Sequence, residues 1–281
     1  MNGPNLLRQR VGGVRSRMGG LLPSTRVVFR GHDLHTELQG CGWLDLYLFG
    51  ITGRRFTPAQ LQLLEAFAVN TSYPDPRIWN NRVAALAGSS RSTSSLAITA
   101  ALAVSEAHIY GRGNEMQAVD FFIRTGRALA AGDSLDDCIK DEIATHGRVA
   151  GYGRPVINGD ERLAPTMATA HALGLGDGPH VCLASEVEQA LKARGLKLSL
   201  NYGGLISAFG ADFGMSPQEF CLFTFPIFLA GMAPCYVEAN QRVEGSLLPI
   251  PATHVRYTGA APRTWGDRLA SLQEPPRDRG S

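Results

Sequence analysis

Apolar side chains recur at helical spacing along most of this chain, and most runs carry helix start or stop signals. Thr57 followed by Pro58 is typical of a helix N-terminus, and Leu61, Leu64 and Phe67 then share one face. The same pattern predicts further helices over residues 78–86, 96–104, 114–131, 135–143, 166–173, 182–193, 205–213 and 216–239. Strand-like runs cover 26–29 and 254–257. The pattern therefore predicts a mostly helical fold.

The chain has 281 residues, of which 44% are hydrophobic. This is enough apolar material for one large domain, or for a large domain with a small lid. No apolar run approaches the ~20 residues that a membrane-spanning helix needs. The longest candidate, 220–237, contains Pro226 and Pro234 and is predicted to be a core helix. We therefore expect a soluble protein without membrane association.

The charge of the chain argues against a nucleic-acid partner and allows two interpretations of the N-terminal segment. A net charge of +2 without a concentrated basic face does not suggest a nucleic-acid-binding protein. The first 31 residues nevertheless contain six arginines and no acid. Such a segment can be an organellar transit peptide or a basic, partly flexible tail. Gly12, Gly13, Gly19 and Gly20 would spoil an amphipathic targeting helix, which favours the tail.

The five cysteines are odd in number and include no C-x-x-C pair. That usage is typical of reduced thiols in a cytoplasmic protein rather than of a disulfide framework or a zinc site. The histidines show no metal-ligand spacing either. We therefore expect a cytoplasmic location and no bound metal.

The most informative stretch is 147–166, which reads GRVAGYGRPVINGDERLAPT. A Gly-Tyr-Gly turn at 151–153 directly precedes Arg154, and two acids followed by an arginine occupy 160–162. Glycine lets a backbone approach a ligand closely, because it carries no Cβ. Arginine can bind a carboxylate or phosphate through two parallel hydrogen bonds. The stretch therefore predicts a cradle for an anionic ligand.

This stretch resembles the active-site segment of the citrate synthase and citryl-CoA lyase superfamily, which reads Gly-Phe-Gly-His-Pro-(Val/Ile)…Asp-Pro-Arg. Other similar segments follow in family order: 30–34 (RGHDL), 46–54 (LYLFGITGR), 57–60 (TPAQ), 81–85 (NRVAA), 110–115 (YGRGNE), 201–205 (NYGGL), 230–238 (AGMAPCYVE) and 257–259 (YTG). The resemblance extends from about residue 26 to residue 265. The chain's length is closer to that of citryl-CoA lyase than to that of full-length citrate synthase.

The resemblance implies an all-α, citrate synthase-like fold: a large helical domain, a smaller helical lid and a ligand cleft between them. The chain then divides into a basic, flexible segment at 1–25, a citrate synthase-like domain at 26–265 and a disordered tail at 266–281. The lid is expected within about 150–230. Because family members are generally dimeric, the resemblance also implies a homodimer.

The family's reaction uses three groups in the cleft. A carboxylate removes a proton from the methyl group of acetyl-CoA, one histidine hydrogen-bonds the enolate oxygen, and a second histidine polarises the keto oxygen of oxaloacetate. Citryl-CoA lyases run these steps in reverse. The resemblance places Tyr110 at the enolate-binding histidine, Arg154 at the polarising histidine and Gly203 at the aspartate. The ordinary mechanism therefore cannot operate unchanged on these positions.

Two of these replacements still suggest chemistry. The Tyr110 phenol could donate a hydrogen bond to an enolate or carbonyl oxygen, or it could fill a vacated pocket. Arg154 could polarise a carbonyl or hold an anion, because a guanidinium in a buried pocket is costly without one. Gly203 brings no base, and Glu115 and Asp160 are the nearest candidates by motif.

Ligand contacts are expected from the parts of the motifs that survive. Arg162 keeps the arginine of the family's Asp-Pro-Arg and is expected to bind a carboxylate. The expected substrate-binding residues are Arg162, Gly151, Gly153, Asn201 and Arg112. Arg112 could meet CoA phosphates or lie in solvent. Phe228 replaces a second carboxylate-binding arginine of the family.

Three functions fit these residues. The first is an enzyme of the citryl-CoA lyase or citrate synthase type, which makes or breaks a carbon–carbon bond in a CoA thioester or polycarboxylate with a rewired site. The second is a catalytically inactive homologue that binds an acyl-CoA or organic acid as a regulatory or partner protein. The third is a repurposed cleft that performs cyclisation, hydration or hydrolysis. We favour the enzyme, with a coenzyme A thioester as substrate and no tightly bound cofactor, because an inactive relative gains nothing from an arginine at position 154.

Overall fold

The computed structural model describes residues 3–10, 12, 15–107, 111–154, 159–247 and 250–261. These residues form twelve α-helices, three short strands and one 3-10 turn. The chain divides into two units, Met1–Leu247 and Leu248–Ser281. This division falls earlier than the boundary after residue 265 that the sequence predicted. The predicted tail, 266–281, lies outside the described residues.

From residue 57 onward the helices agree with the sequence pattern within a few residues at their ends, except over 216–239. In chain order they are α1 (Pro4–Arg10), α2 (Trp43–Thr52), α3 (Pro58–Thr71), α4 (Trp79–Ser89), α5 (Ser94–Val104), α6 (Arg112–Ala131), α7 (Leu135–His146), α8 (Leu163–Ala172), α9 (Pro179–Ala193), α10 (Tyr202–Asp212), α11 (Pro217–Thr224) and α12 (Leu229–Gln241). The strands are β1 (Gly19–Leu22), β2 (Arg26–Phe29) and β3 (His32–Asp33). The prediction of a mostly helical fold is confirmed.

Several helix boundaries are fixed by local chemistry that the sequence already shows. Thr57 and Ser216 each form a capping box with the residue three positions on. Ser134 Oγ accepts a hydrogen bond from the Asp137 amide and starts α7. Gly132 ends α6 in the left-handed region, at φ 100°.

The N-terminal segment carries more regular structure than the sequence predicted. The three strands form an antiparallel sheet of order β1–β2–β3, with Gly19 opposite Phe29 and Val28 opposite Asp33. The predicted strand at 26–29 is confirmed as β2. The elements β1 and α1 also fall within 1–25, and the flexibility expected of this segment stays a prediction. The ladder to β2 satisfies the backbone groups of β1, which accounts for the difference.

The centre of the first unit is α10. Nine of its eleven residues are buried, so the helix is covered on every side. Helices α6 and α9 pack against it. Gly210 allows the Phe220 ring to approach, since an added Cβ would meet Phe220 Cε2 at 2.7 Å. The N-cap and first turn of α10, residues 201–204, therefore belong to a helix that is packed in the core.

A second cluster joins α4, α5 and α12 around Ala84, Ala101 and Met232. Small side chains let these helices approach closely, as the Ala-rich pattern predicts. Phe228, the N-cap of α12, packs on this cluster. Phe228, which the sequence resemblance places at the family's second carboxylate-binding arginine, therefore contributes to apolar packing.

The helix predicted over 216–239 is divided. Residues 225–228 form a turn between α11 and α12. Pro226 lies in that turn and lacks the N–H that a continuous helix would use. The segment Pro217–Gln241 is long and apolar enough to cross a membrane by length and composition, with a mean hydropathy of 1.8 over its most apolar window. The expectation that no apolar run approaches the length of a membrane-spanning helix is therefore wrong. Core helices pass the same test, and 39% of that window is buried.

The second unit contains one short element among residues 250–261. Ala252–His254 form a 3-10 turn, and the chain is irregular over 255–258. The predicted strand at 254–257 is therefore wrong. Val255 and Tyr257 are 71% and 73% exposed, so the apolar alternation that suggested a strand has no packing partner there.

Candidate functional site

The Gly-Tyr-Gly turn lies directly across the start of α10. Gly151 has φ 90°, and a Cβ at this position would lie 2.7 Å from Gly204 Cα. The Gly204 position is equally closed, because a Cβ there would lie 2.8 Å from Gly151 Cα. Glycine is therefore required at both positions for the two backbones to cross. The space beside Gly151 that we assigned to a ligand is taken by α10 in this structure.

Hydrogen bonds fasten the turn to the strand-like residues before α10. The Asn201 amide donates to Gly151 O at 2.9 Å, and the Gly153 amide donates to Ser199 O at 2.7 Å. Asn201 Nδ2 donates to Gly153 O at 2.8 Å, while its Oδ1 accepts from the Gly204 amide. Asn201 thus joins the turn to the N-terminus of α10 with both ends of its side chain.

Tyr152, between the two glycines, is a structural anchor. Its ring is buried, and its hydroxyl donates to Ala184 O in α9 at 2.8 Å. Burial raises the pKa of Tyr152 well above its ordinary value, so the phenol stays protonated and keeps that hydrogen bond. The turn is therefore fixed from α9 as well as from α10.

Four charged side chains, Arg154, Asp160, Glu161 and Arg162, form what we call the charged cluster. Asp160 is its buried centre, with a side chain only 1% exposed. Arg162 Nε and Nη2 donate to its two carboxylate oxygens at 2.8 and 2.7 Å, and the Tyr202 amide donates at 2.9 Å. Burial raises the pKa of Asp160, but these hydrogen bonds lower it by more. Asp160 is therefore ionised and fully engaged.

Arg162 is held between the carboxylate of Asp160 and two aromatic rings. Its guanidinium carbon lies 4.4 Å from the Tyr202 ring centroid and 5.6 Å from that of Tyr73. Both distances are within the range of cation–π attraction. The sequence did not predict either tyrosine as a site residue. Tyr202 could have been suspected from its place beside Asn201, whereas nothing in the sequence links Tyr73 to this site.

Arg154 is paired within the charged cluster rather than with an external anion. Its Nη1 lies 2.5 Å from Glu161 Oε2 and its Nη2 lies 3.2 Å from Glu161 Oε1. Asp160 Oδ1 is 3.9 Å from Nη1. The hydrogen bond from Arg154 is the main cause that lowers the pKa of Glu161 to about 2, and the Tyr73 hydroxyl also donates to it. The chain itself supplies an anion to Arg154, so the charge of this residue does not by itself require a ligand, and its ligand role stays a prediction.

Glu115 lies near Gly203, which the sequence resemblance places at the family's aspartate. A Cβ built on Gly203 would be 3.8 Å from Glu115 Cγ and 3.3 Å from Asn201 Oδ1. Glu115 is in the first turn of α6, and Ser207 Oγ of α10 donates to its backbone carbonyl at 3.3 Å. The sequence named Glu115 and Asp160 as alternative bases, and the structure separates them. Asp160 is enclosed by its donors, whereas the Cγ of Glu115 packs near the Gly203 position.

Two predicted site features cannot be placed. Tyr110 lies outside the described residues, as does the side chain of Arg112. Gly111, the residue between them, is the N-cap of α6 at φ 81° and sits against Ser105 O. The start of α6 is close to the Gly203 position, since Glu115 Cγ lies 3.8 Å from a Cβ built there.

The pocket formed by these elements is small. It has a volume of about 60 Å³ and is lined by Gly153, Arg154, Gly159 and residues 197–201. That is room for about two water molecules, against the several hundred Å³ of a typical ligand pocket. Among the described residues, no group of histidine, cysteine or acidic side chains could hold a metal ion. The site as it stands is a polar crevice, with Lys197 at its edge.

The fold is similar to solved structures of one superfamily. Citryl-CoA lyase from Hydrogenobacter thermophilus matches with a TM-score of 0.78 and 21% identity, over 92% of this chain and 99% of that one. An ATP citrate lyase from Methanosaeta concilii, solved with (3S)-citryl-CoA, matches with a TM-score of 0.68 and 15% identity, over 93% of this chain but 45% of that one. Citrate synthase from Thermoplasma acidophilum, in a ternary complex with carboxymethyl coenzyme A and oxaloacetate, matches with a TM-score of 0.62 and 17% identity, over 80% and 58%.

This chain has the fold of the citrate synthase and citryl-CoA lyase superfamily, as its sequence motifs predicted. It spans nearly the whole of the citryl-CoA lyase chain, but less than two thirds of the two larger enzymes. No protein-family model matches the sequence, and no curated protein does. At these identities the comparisons show the fold alone.

Proposed function

We propose that this protein makes or breaks a carbon–carbon bond in a CoA thioester or polycarboxylate, with a site rewired from that of citryl-CoA lyase. One observation carries the proposal. The three segments that the sequence assigned to catalysis, the start of α6, residues 147–162 and the start of α10, meet at one place. Gly151 touches Gly204, and Glu115 Cγ lies 3.8 Å from a Cβ built on Gly203. The convergence of segments so far apart in sequence supports a shared site at this place.

Ligand entry requires an exchange within the charged cluster. The Glu161 side chain is 57% exposed and sits on the rim, whereas the Asp160 side chain is 1% exposed. A ligand carboxylate can therefore replace Glu161 on Arg154 at low cost, because exposed ion pairs contribute only ~0–1 kcal/mol. If a ligand displaced Asp160 from Arg162 instead, a buried carboxylate would be left without its counter-charge, which is costly. Arg154 is thus the proposed ligand-binding cation. Arg162 holds Asp160, the buried centre of the charged cluster, in place.

The other predicted residues have lesser parts in this proposal. Gly153 and Asn201 line the crevice beside Arg154, and Gly151 lets the turn cross α10. Tyr110 is proposed to donate a hydrogen bond to an enolate or carbonyl oxygen. Arg112 is proposed to meet CoA phosphates. The homodimer, the cytoplasmic location and the lack of a tightly bound cofactor stay predictions.

A second function is favoured by a specific observation. The two arginines and two acids of the charged cluster carry no net charge, and the crevice holds about 60 Å³. A protein that only binds the carboxylate of an acyl-CoA or organic acid, as a regulatory or partner protein, needs an exchangeable cation such as Arg154 and no catalytic base. The two functions differ in turnover and not in binding.

Ligand-dependent unfolding tests the proposal and separates it from the alternative. The thermal midpoint of the full chain is measured with CoA, acetyl-CoA, citrate and oxaloacetate, because a ligand that binds only the folded state raises it. Arg154→Ala is expected to abolish the shift with the carboxylates. Arg77→Ala, which removes an arginine paired locally with Asp75, is the matched control. A shift without turnover supports the binding protein, and no shift with any of the four contradicts both functions.

A further inference from the structure

We propose that Tyr73 is a ligand-binding residue, whose hydroxyl and the Arg154 guanidinium together hold one carboxylate of the ligand. We call these two groups the carboxylate cradle. The inference rests on the ligand-binding step of the proposed function, in which a ligand carboxylate replaces Glu161 on Arg154. It adds to that step a second residue, which lies far from Arg154 in the sequence.

The contacts of Glu161 show how the cradle holds a carboxylate. Arg154 Nη1 lies 2.5 Å from Glu161 Oε2, and Arg154 Nη2 lies 3.2 Å from Glu161 Oε1. The Tyr73 hydroxyl donates to the same Oε1 atom at 3.1 Å. Two parallel bonds from a guanidinium fit the planar shape of a carboxylate, and the phenol supplies a third donor. A ligand carboxylate that takes the place of Glu161 therefore meets three donors.

Glu161 is the member of this arrangement that can leave. Its side chain is 57% exposed, whereas that of Arg154 is 27% exposed and Tyr73 is half-buried. An exposed carboxylate regains water when it moves away, so its exchange for another carboxylate costs little. The two donor residues can therefore stay in place while the carboxylate between them changes.

The position of Tyr73 does not depend on Glu161. The buried Asn81 side chain donates through Nδ2 to the Tyr73 carbonyl oxygen. Gly231 lets α12 approach the same oxygen, because a Cβ at Gly231 would lie only 2.7 Å from it. The Arg162 guanidinium carbon lies 5.6 Å from the centroid of the Tyr73 ring. Contacts with α4, α12 and Arg162 thus hold the backbone and the ring that carry the hydroxyl.

The protonation state of Tyr73 suits a donor to an anion. Burial, and after it the hydrogen bond to Glu161, raise the pKa of Tyr73. The phenol therefore stays protonated at neutral pH and keeps its proton to donate. Hydrogen bonds to a charged acceptor are stronger than those to a neutral one. The cradle is thus expected to prefer a carboxylate to an uncharged carbonyl group.

The experiment removes the carboxylate of Glu161 and supplies acetate in its place. The thermal midpoint of the full chain is measured against acetate concentration at constant ionic strength, because a ligand of the folded state raises it. Glu161→Ala is expected to bind acetate about threefold to tenfold more tightly than wild type, in which Glu161 competes. Adding Tyr73→Phe, which keeps the ring and removes only the hydroxyl, is expected to weaken this binding about tenfold.

Two further variants and a second anion complete the design. Tyr236→Phe in the Glu161→Ala background removes a hydroxyl that donates to Ser92 O at 2.9 Å, and it is expected to leave acetate binding unchanged. Glu161→Gln keeps the length of the side chain and repeats the comparison, so the test does not depend on the folding of Glu161→Ala. Inorganic phosphate, tested in the same way, is expected to raise the midpoint less than acetate does.

The outcomes separate this inference from the proposed function. Acetate binding that Tyr73→Phe leaves unchanged overturns the inference and leaves Arg154 as the ligand-binding cation. No effect of acetate on either Glu161 variant also overturns it, and so does phosphate binding as strong as that of acetate. The proposed enzymatic function fails separately if the wild type does not turn over citryl-CoA or acetyl-CoA with oxaloacetate. Acetate binding that depends on Tyr73 would still support the inference in that case.

Discussion

Arg154 and Glu161 form a hydrogen-bonded ion pair, with Nη1 2.5 Å from Oε2. Both residues depart from the superfamily pattern, which has histidine at the first position and proline between aspartate and arginine at the second. The two departures compensate each other, because the acid neutralises the cation that the site has gained. The guanidinium of Arg154 is therefore neutralised by an exposed carboxylate of the same chain.

Glu161→Gln should tighten the binding of citrate or oxaloacetate. The variant removes the carboxylate that competes for Arg154, so the ligand no longer displaces a charged partner. We expect affinity to rise about threefold to tenfold, which corresponds to the ~1 kcal/mol of an exposed ion pair. Isothermal titration calorimetry measures the change, and Glu186→Gln should leave affinity as it was. Weaker binding in Glu161→Gln would show that Glu161 assists the ligand instead of competing with it.

Asp160→Asn should destabilise the fold. The substitution leaves the Arg162 guanidinium without its buried counter-charge and weakens the acceptor for the Tyr202 amide. Breaking a buried pair on one side costs about 3 kcal/mol or more. Urea unfolding gives the free energy directly. Asp120→Asn, which removes an exposed acid paired with Arg124, should change it by no more than ~0.5 kcal/mol. Equal losses in the two variants would contradict the central place of Asp160.

Acid should weaken the fold partly through Glu161. Its pKa is about 2 in the folded chain against an ordinary 4.5, chiefly because Arg154 hydrogen-bonds it. A group whose pKa is lower in the folded state stabilises above its unfolded pKa, and this stabilisation is lost as the pH falls through the folded pKa. The contribution of Glu161 is thus present above pH 4.5 and disappears by about pH 2.

The thermal midpoint, measured at constant ionic strength, should therefore fall less steeply for Glu161→Gln than for wild type between these two pH values. The difference should be small, because the side chain is 57% exposed and solvent screens the pair. Asp160, whose pKa is also lowered, should contribute to the loss that remains in both proteins. Parallel curves for the two proteins would exclude Glu161 from the acid transition.

Substitution by alanine should destabilise the fold much more at one glycine at the start of α10 than at its neighbour. At Gly204 a Cβ would lie 2.8 Å from both Gly151 Cα and Leu200 Cδ1, so Gly204→Ala should cost about 3 kcal/mol through overpacking. At Gly203 the nearest atom would be 3.3 Å away, so Gly203→Ala should change stability by less than ~1 kcal/mol. Chemical denaturation of both variants checks the contrast. Similar costs would mean that the backbone crossing is looser than described.

The sequence predicts the helices better than it predicts the site. Helix caps such as Thr57 and Ser216 are local signals, and so they appear both in the sequence and in the structure. The order of the family motifs also predicted the fold. The division of 216–239 was missed because a long apolar run with Pro226 fits either one kinked helix or two.

The electrostatics of the site depend on contacts that no local pattern shows. Tyr73 reaches Glu161 and Arg162 from a distant part of the chain. Because the sequence does not show these contacts, it predicts that Arg154 and Arg162 bind an external ligand. Likewise, the approach of Glu115 to Gly203 results from the packing of α6 on α10 and is not encoded in either motif alone.

The central claim is that this fold still makes or breaks carbon–carbon bonds in CoA thioesters. The most direct measurement follows CoA species by liquid chromatography and mass spectrometry in two reactions of the purified full chain, one with citryl-CoA and one with acetyl-CoA plus oxaloacetate. We predict that one or both reactions form product faster than the protein-free blank, and that Arg154→Ala returns the rate to the blank while Arg77→Ala does not. Product formation at the blank rate in both reactions would contradict the claim.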